Sequence, residues 1–119
     1  MGRRTRSNRW AGWGKLQPRG RQRRTMRKKC GRKCFVGPRS DPTSFPICAV
    51  YGDKISCDPN DKGLWAAYIR ARQMSSPRTR DRRHSRRTYE RVASRARRKL
   101  RERGQWVGKG GTDNKKGLW

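Results

Sequence analysis

Cys30-Gly31-Arg32-Lys33-Cys34, followed by Ser44-Phe45-Pro46-Ile47-Cys48-Ala49-Val50-Tyr51-Gly52-Asp53-Lys54-Ile55-Ser56-Cys57, contains all four cysteines of a 119-residue chain. Phe45 to Tyr51 is rich in aromatic and β-branched residues and reads as a strand. Gly52-Asp53 turns it back toward Lys54–Cys57, which predicts a small hairpin. Pro46 lacks an N–H, so it confines the strand start to an edge or a first position. Gly37-Pro38 and Asp41-Pro42 are turn signals. The stretch is loop-rich and short, near the limit for unaided folding, so a staple is expected.

The cysteines are separated by three, thirteen and eight residues. Four thiols can close as two disulfides in three connectivities, each bridge contributing roughly 2–4 kcal/mol. The same Cys30, Cys34, Cys48 and Cys57 can instead hold one Zn²⁺ as thiolates. Paired C-x2-C knuckles would favour zinc, and the spacings depart from them. The reading is disulfides with no cofactor, with zinc or free buried thiols as the alternatives. Disulfides require an oxidising compartment or a dedicated thiol oxidase.

C-terminal to the knot, Asn60 or Asp61 can cap a helix starting near Lys62. Leu64, Tyr68 and Ala71 share one face, with Trp65 and Ile69 beside them, and Ser75-Ser76-Pro77 stops it. A longer basic helix is predicted from about Asp81 to Arg103. Its apolar stripe is narrow (Tyr89, Val92, Ala93, Ala96 and Leu100), arginine covers the rest, and Gly104 ends it. Such a helix repels itself between turns, so it is expected to be firm only on a partner. N-terminal to the knot, residues 1–29 show glycine and proline punctuation and no helical period. They read as an extended basic arm. The fold class is therefore a small irregular α+β chain with a four-Cys stapled core, one short and one longer basic helix, and extended arms ordered by partners. Its divisions are the arm 1–29, the core with its helix 30–75, the Arg-rich helix 76–103 and a Gly/Trp tail 104–119.

Charge follows this division. Lys and Arg number 35 against 8 acids, a net +27, and only 29% of residues are hydrophobic. Residues 1–33 carry +14, residues 34–69 carry −1, residues 70–103 carry +12 and residues 104–119 carry +2. A nearly neutral island thus lies between two cationic flanks. Of the basic residues 25 are Arg. Guanidinium is planar, weakly hydrated and forks onto phosphate or carboxylate, so the partner is expected to be strongly anionic. Arg21, Arg23, Arg24, Arg82, Arg83, Arg86, Arg87, Arg97 and Arg98 are the candidate contacts. Trp10, Trp13, Trp106 and Trp119 stand among glycines and cations and are candidate aromatic anchors for a partner's pockets; for Trp10 and Trp13 the alternatives are stacking on bases or arginine planes and covering a neighbouring part of this same chain.

Several classes are disfavoured. No apolar run approaches the ~20 residues of a membrane span, and no apolar stretch follows the basic N-terminus as a secretory leader requires. There is no phosphate-cradling glycine loop, no H-E-x-x-H and no carboxylate pair in an apolar setting. The lone His84 has no catalytic partner nearby in sequence. An enzyme is not expected, nor a small-molecule substrate.

The string from Cys30 to Arg72 includes Cys30-Gly31-Arg32-Lys33-Cys34-Phe35-Val36-Gly37-Pro38, Ser44-Phe45-Pro46-Ile47-Cys48 and Lys62-Gly63-Leu64-Trp65-Ala66-Ala67-Tyr68-Ile69-Arg70-Ala71-Arg72. It resembles small basic proteins of nucleocytoplasmic large DNA viruses, of the algal-virus and giant-virus lineages. The resemblance implies a virion structural protein. Such viruses assemble in the host cytoplasm and commonly encode a thiol oxidase, which would permit disulfides there. On this reading the chain is a minor capsid protein. It would stabilise an icosahedral capsid by threading basic arms between coat subunits, with the major capsid protein and other minor capsid proteins as partners and genomic DNA as a further one. The alternative, from composition, is a nucleic-acid-binding protein that condenses a genome or resembles a ribosomal protein on RNA.

Overall fold

The computed structural model describes residues 9–77, 79, 83–105 and 107. The elements in order are α1 (Trp13–Leu16), α2 (Arg21–Cys30), a 3-10 turn (Gly31–Cys34), β1 (Cys48–Tyr51), β2 (Lys54–Pro59), α3 (Asp61–Met74) and α4 (Arg86–Glu102). This is the small α+β fold expected, with the hairpin and both later helices in their places.

The hairpin is antiparallel, with Tyr51 opposite Lys54, Val50 opposite Ile55 and Cys48 opposite Pro59, and a register irregularity between Cys48 and Val50. Gly52 turns it at φ 68°. The strand starts at Cys48 rather than Phe45. Phe45 sits at φ 53°, a left-handed conformation that ends a strand, and Pro46 has no N–H for a ladder. The segment before the strand still pairs. Phe35 bridges Pro46, and the Ile47 amide donates to the Cys34 carbonyl at 2.8 Å.

Two disulfides tie this unit: Cys30 to Cys57 and Cys34 to Cys48, with Cα separations of 5.2 and 5.1 Å. No cysteine is free. In this pairing every sulfur is bonded to another sulfur. The loops span 27 and 14 residues, for which loop-closure entropy gives about 3–4 kcal/mol each.

Asn60 caps α3, its side chain accepting from the Lys62 and Gly63 amides. The predicted face is the buried one, with Leu64, Trp65, Ala67, Tyr68 and Ala71 all inside. Ser85 caps α4 by accepting from the Thr88 amide, so the helix begins at Arg86 rather than near Asp81, which lies outside the described residues. Gly104, at φ 80°, and Gln105 close it, donating to the Arg101 and Leu100 carbonyls.

The two flanks differ from expectation. Residues 13–30 are not an extended arm. Gln22, Met26 and Cys30 recur at i, i+4 and i+8, and this face turns α2 inward: Met26 is fully buried and Cys30 is held by its disulfide. One methionine and one cysteine make too thin a stripe to register as a hydrophobic period in a run of Arg and Lys. The longer helix likewise takes its shape within the chain. Tyr89, Val92, Ala93, Ala96 and Leu100 are all buried, in one core with α3, Val36 and Ile47. Alanines at 93 and 96 let the helices approach closely, so a narrow stripe suffices. The tail follows: Val107 is buried, Gln105 accepts from the Trp65 indole and donates to Asp61, and Arg103 pairs with Asp61. Residues 108–119 lie outside the described residues.

Candidate anion-binding face

The Cys30–Cys57 bridge and the 3-10 turn carry the end of α2 alongside the loop at Gly37-Pro38, and α4 crosses that loop. Two adjoining concavities form between them, of about 320 and 370 Å³. Arg27 comes from α2, Arg32 and Lys33 from the 3-10 turn, Arg39 from the loop, and Arg91, Arg95 and Lys99 from successive turns of α4. The floor is Phe35, Val36, Pro38 and Pro42. No carboxylate lines either concavity. A third, of about 260 Å³, continues along α4 past Arg87, Arg91, Arg95 and Arg98, with Glu90 its one acid. Arg91 and Arg95 connect all of this surface.

Arg95 is the fixed point. Its Nε donates to the Val36 carbonyl at 3.2 Å, which orients the guanidinium and leaves the four Nη hydrogens for another acceptor. Burial holds its pKa below the ordinary arginine value, and repulsion from Arg32, Arg91 and Arg98 adds to this. Arginine stays charged at any accessible pH regardless. The lowered direction thus reflects burial first and repulsion among the arginines second, and a bound anion would offset both. Gly37 permits the loop to lie this close: a Cβ there would stand 2.8 Å from the Ser44 carbonyl oxygen.

The structure distributes the expected arginines unevenly. Arg21, Arg24, Arg87 and Arg98 are exposed on α2 and α4. Arg23 serves the fold, donating to the Pro18 and Thr43 carbonyls, and burial lowers its pKa while Asp41 partly restores it. Arg86 donates to the Ser75 carbonyl at the end of α3. Arg83 lies 3.7 Å from Asp41. The Arg97 Nε is buried, and its charge acts on the Tyr68 phenol. Arg82 lies outside the described residues. Arg27, Arg32, Lys33, Arg39, Arg91, Arg95 and Lys99 do not stand out in the sequence. The i, i+4 spacing of 91, 95 and 99 is the available signal, and it is lost in a helix where almost every outward residue is basic.

No family model, characterised protein or solved structure matches this chain.

The tryptophans serve the chain itself where they are described. Trp13 is 7% exposed and rests on α3 at Gly63, where a Cβ would stand 2.7 Å from Trp13 Cη2. Trp10 is half-buried against the same core. The anchor reading is corrected for Trp13, whose ring packs within the chain and leaves only an edge on a cleft. Trp106 and Trp119 lie outside the described residues.

A cleft of about 600 Å³ opens elsewhere, among Trp13, Phe45, Met74, Arg70 and Tyr89. His84 lies in it with Nε2 3.2 Å from Asp41 Oδ2, its ring edge-on to Tyr89 and its backbone amide donating to the Tyr89 hydroxyl. The Ser44 hydroxyl donates to the Asp41 carbonyl at 2.7 Å. These contacts fasten the 38–44 loop to the start of α4. Among the described residues, no group of three or more His, Cys, Asp or Glu is placed to hold a metal, and no helix is long and apolar enough to cross a membrane.

Proposed function

We propose that this protein is a virion structural protein, a minor capsid protein of a large icosahedral DNA virus assembled in the host cytoplasm. The observation that carries the reading is where the virus-like string falls. Its cysteines are the bridged ones, and its Phe35, Val36, Ile47, Leu64, Trp65, Ala67, Tyr68 and Ala71 are the core. Its glycines at 37 and 63 stand at close approaches. The resemblance therefore rests on fold-building positions rather than on arginine content. Because residues 13–30 and 86–105 are part of the folded body, the proposed grip on coat subunits is by its basic faces rather than by long threaded arms. Rigid Arg faces meeting acidic surfaces give complementary, register-fixing contacts.

The test is composition of purified particles of the encoding virus. The protein should occur in fixed ratio to the coat protein and stay in DNA-free shells, with cross-links from Arg21, Arg24 or Arg87 neighbours to coat subunits. Its absence from DNA-free shells would remove the capsid reading.

A further inference from the structure

We infer that the groove centred on Arg95 is a seat for the phosphate backbone of duplex DNA, which it holds without reading base sequence. This goes beyond the capsid role and does not depend on it. Three observations carry it. First, the two concavities beside the Gly37-Pro38 loop bring together cations from α2, the 3-10 turn, the loop and α4, with no carboxylate among their lining residues. An acid-free cluster drawn from four elements is more than the solvated face of one helix. Second, Arg95 is pre-aimed: its tether to Val36 fixes the plane of the fork, so little rotamer freedom remains to be lost when a phosphate oxygen is engaged. Its desolvation and the repulsion from Arg32, Arg91 and Arg98 are both offset by a bound anion.

Third, the groove offers nothing for bases. Phe35 on its floor is 7% exposed, and the one large hydrophobic residue exposed among the described residues is Tyr51, at the hairpin tip. Single strands are held by stacking on aromatic platforms as well as by charge. A duplex presents phosphates outward, one charge per about 1.7 Å of axis, and keeps its bases stacked inside. A cationic groove without a stacking surface matches the duplex. Phosphate contacts of this kind position a protein without specifying sequence.

The experiment uses the full disulfide-bonded chain and duplexes of about 30 base pairs in two unrelated sequences, long enough to span several phosphates on one face, with affinity measured across a salt series. The key variant reverses two exposed groove charges, Arg32→Glu with Arg91→Glu. A control reverses Lys54 and Arg72, which are exposed, lie outside both concavities and give the same net charge. The groove variant should bind at least about tenfold more weakly near 0.1 M salt, and its log-affinity slope against log salt should flatten by about two, near 0.9 for each phosphate that the protein no longer neutralises. The control should change affinity by less than threefold. Arg95→Lys keeps the charge but loses the fork and its tether; it should lower the melting temperature by a few degrees and, measured well below that transition, weaken binding about three- to tenfold. The two duplexes should bind equally within threefold, and the corresponding single strand more weakly.

Equal losses in groove variant and control would show diffuse attraction and overturn the inference. So would tighter binding of the single strand, and so would polyglutamate displacing DNA at matched charge concentration, which would point to an acidic protein partner. Retention in DNA-free shells together with failure here would leave the capsid reading standing. Duplex binding here together with loss from DNA-free shells would do the reverse.

Discussion

The hairpin unit and the α3–α4 pair sit in one core but are held by different means. The hairpin unit is nearly neutral and is tied by two covalent bridges. The helix pair is tied by a narrow stripe whose narrowest members are Ala93 and Ala96, beneath a dense arginine surface. There burial works against like-charge repulsion. The two halves meet where the Phe45 ring stands edge-on to Tyr89 at 6.2 Å and where Arg95 holds the Val36 carbonyl. The lesson is that the neutral half serves as an anvil. It provides a rigid floor against which a self-repelling helix can be held in place and its charges aimed.

The largest way to break this division is reduction. Removing both bridges should cost about 6–7 kcal/mol, a large part of a small domain's stability. Far-UV circular dichroism should then show loss of the helix signal together with the hairpin. Survival of α3 and α4 in excess reductant would show that the helices need no floor. Next in size is Trp13→Ala, which empties the space between α1 and α3 at Gly63. Denaturant titration should show a loss of about 3–5 kcal/mol. An unchanged midpoint would return Trp13 to the role of partner anchor. Smaller is Asp41→Asn, which weakens the link from the 38–44 loop to His84 and Arg83. Arg83 is 77% exposed, so its share is slight, and the whole change should be about 1–2 kcal/mol. It should raise amide exchange in the loop more than in α3.

The sequence and the structure agree where one strong signal acts alone. Cys spacing with Gly52-Asp53 foretold the stapled hairpin, and Asn60 with the Leu64–Tyr68–Ala71 face foretold α3. They part where signals are diluted by arginine. In α2 a single Met26 and a half-of-a-disulfide Cys30 define the inner face, and no period survives in their neighbourhood. In α4 the stripe was visible, but its sufficiency depended on Ala-to-helix closeness, which is a property of packing. The groove was illegible for the same reason: in sequence Arg95 looks like Arg98, and what sets it apart is half-burial and a carbonyl that lies 59 residues away along the chain. The bridge partners also required the fold, since spacing alone leaves three pairings open.

Amide hydrogen exchange of the free, oxidised chain at physiological salt, with no anion added, tests the central claim most directly. The account holds that α4 is folded onto α3 by its own stripe, so amides from Tyr89 to Leu100 should be protected to a degree similar to those of α3. Exchange of α4 at unprotected rates while α3 and the hairpin remain protected would contradict it.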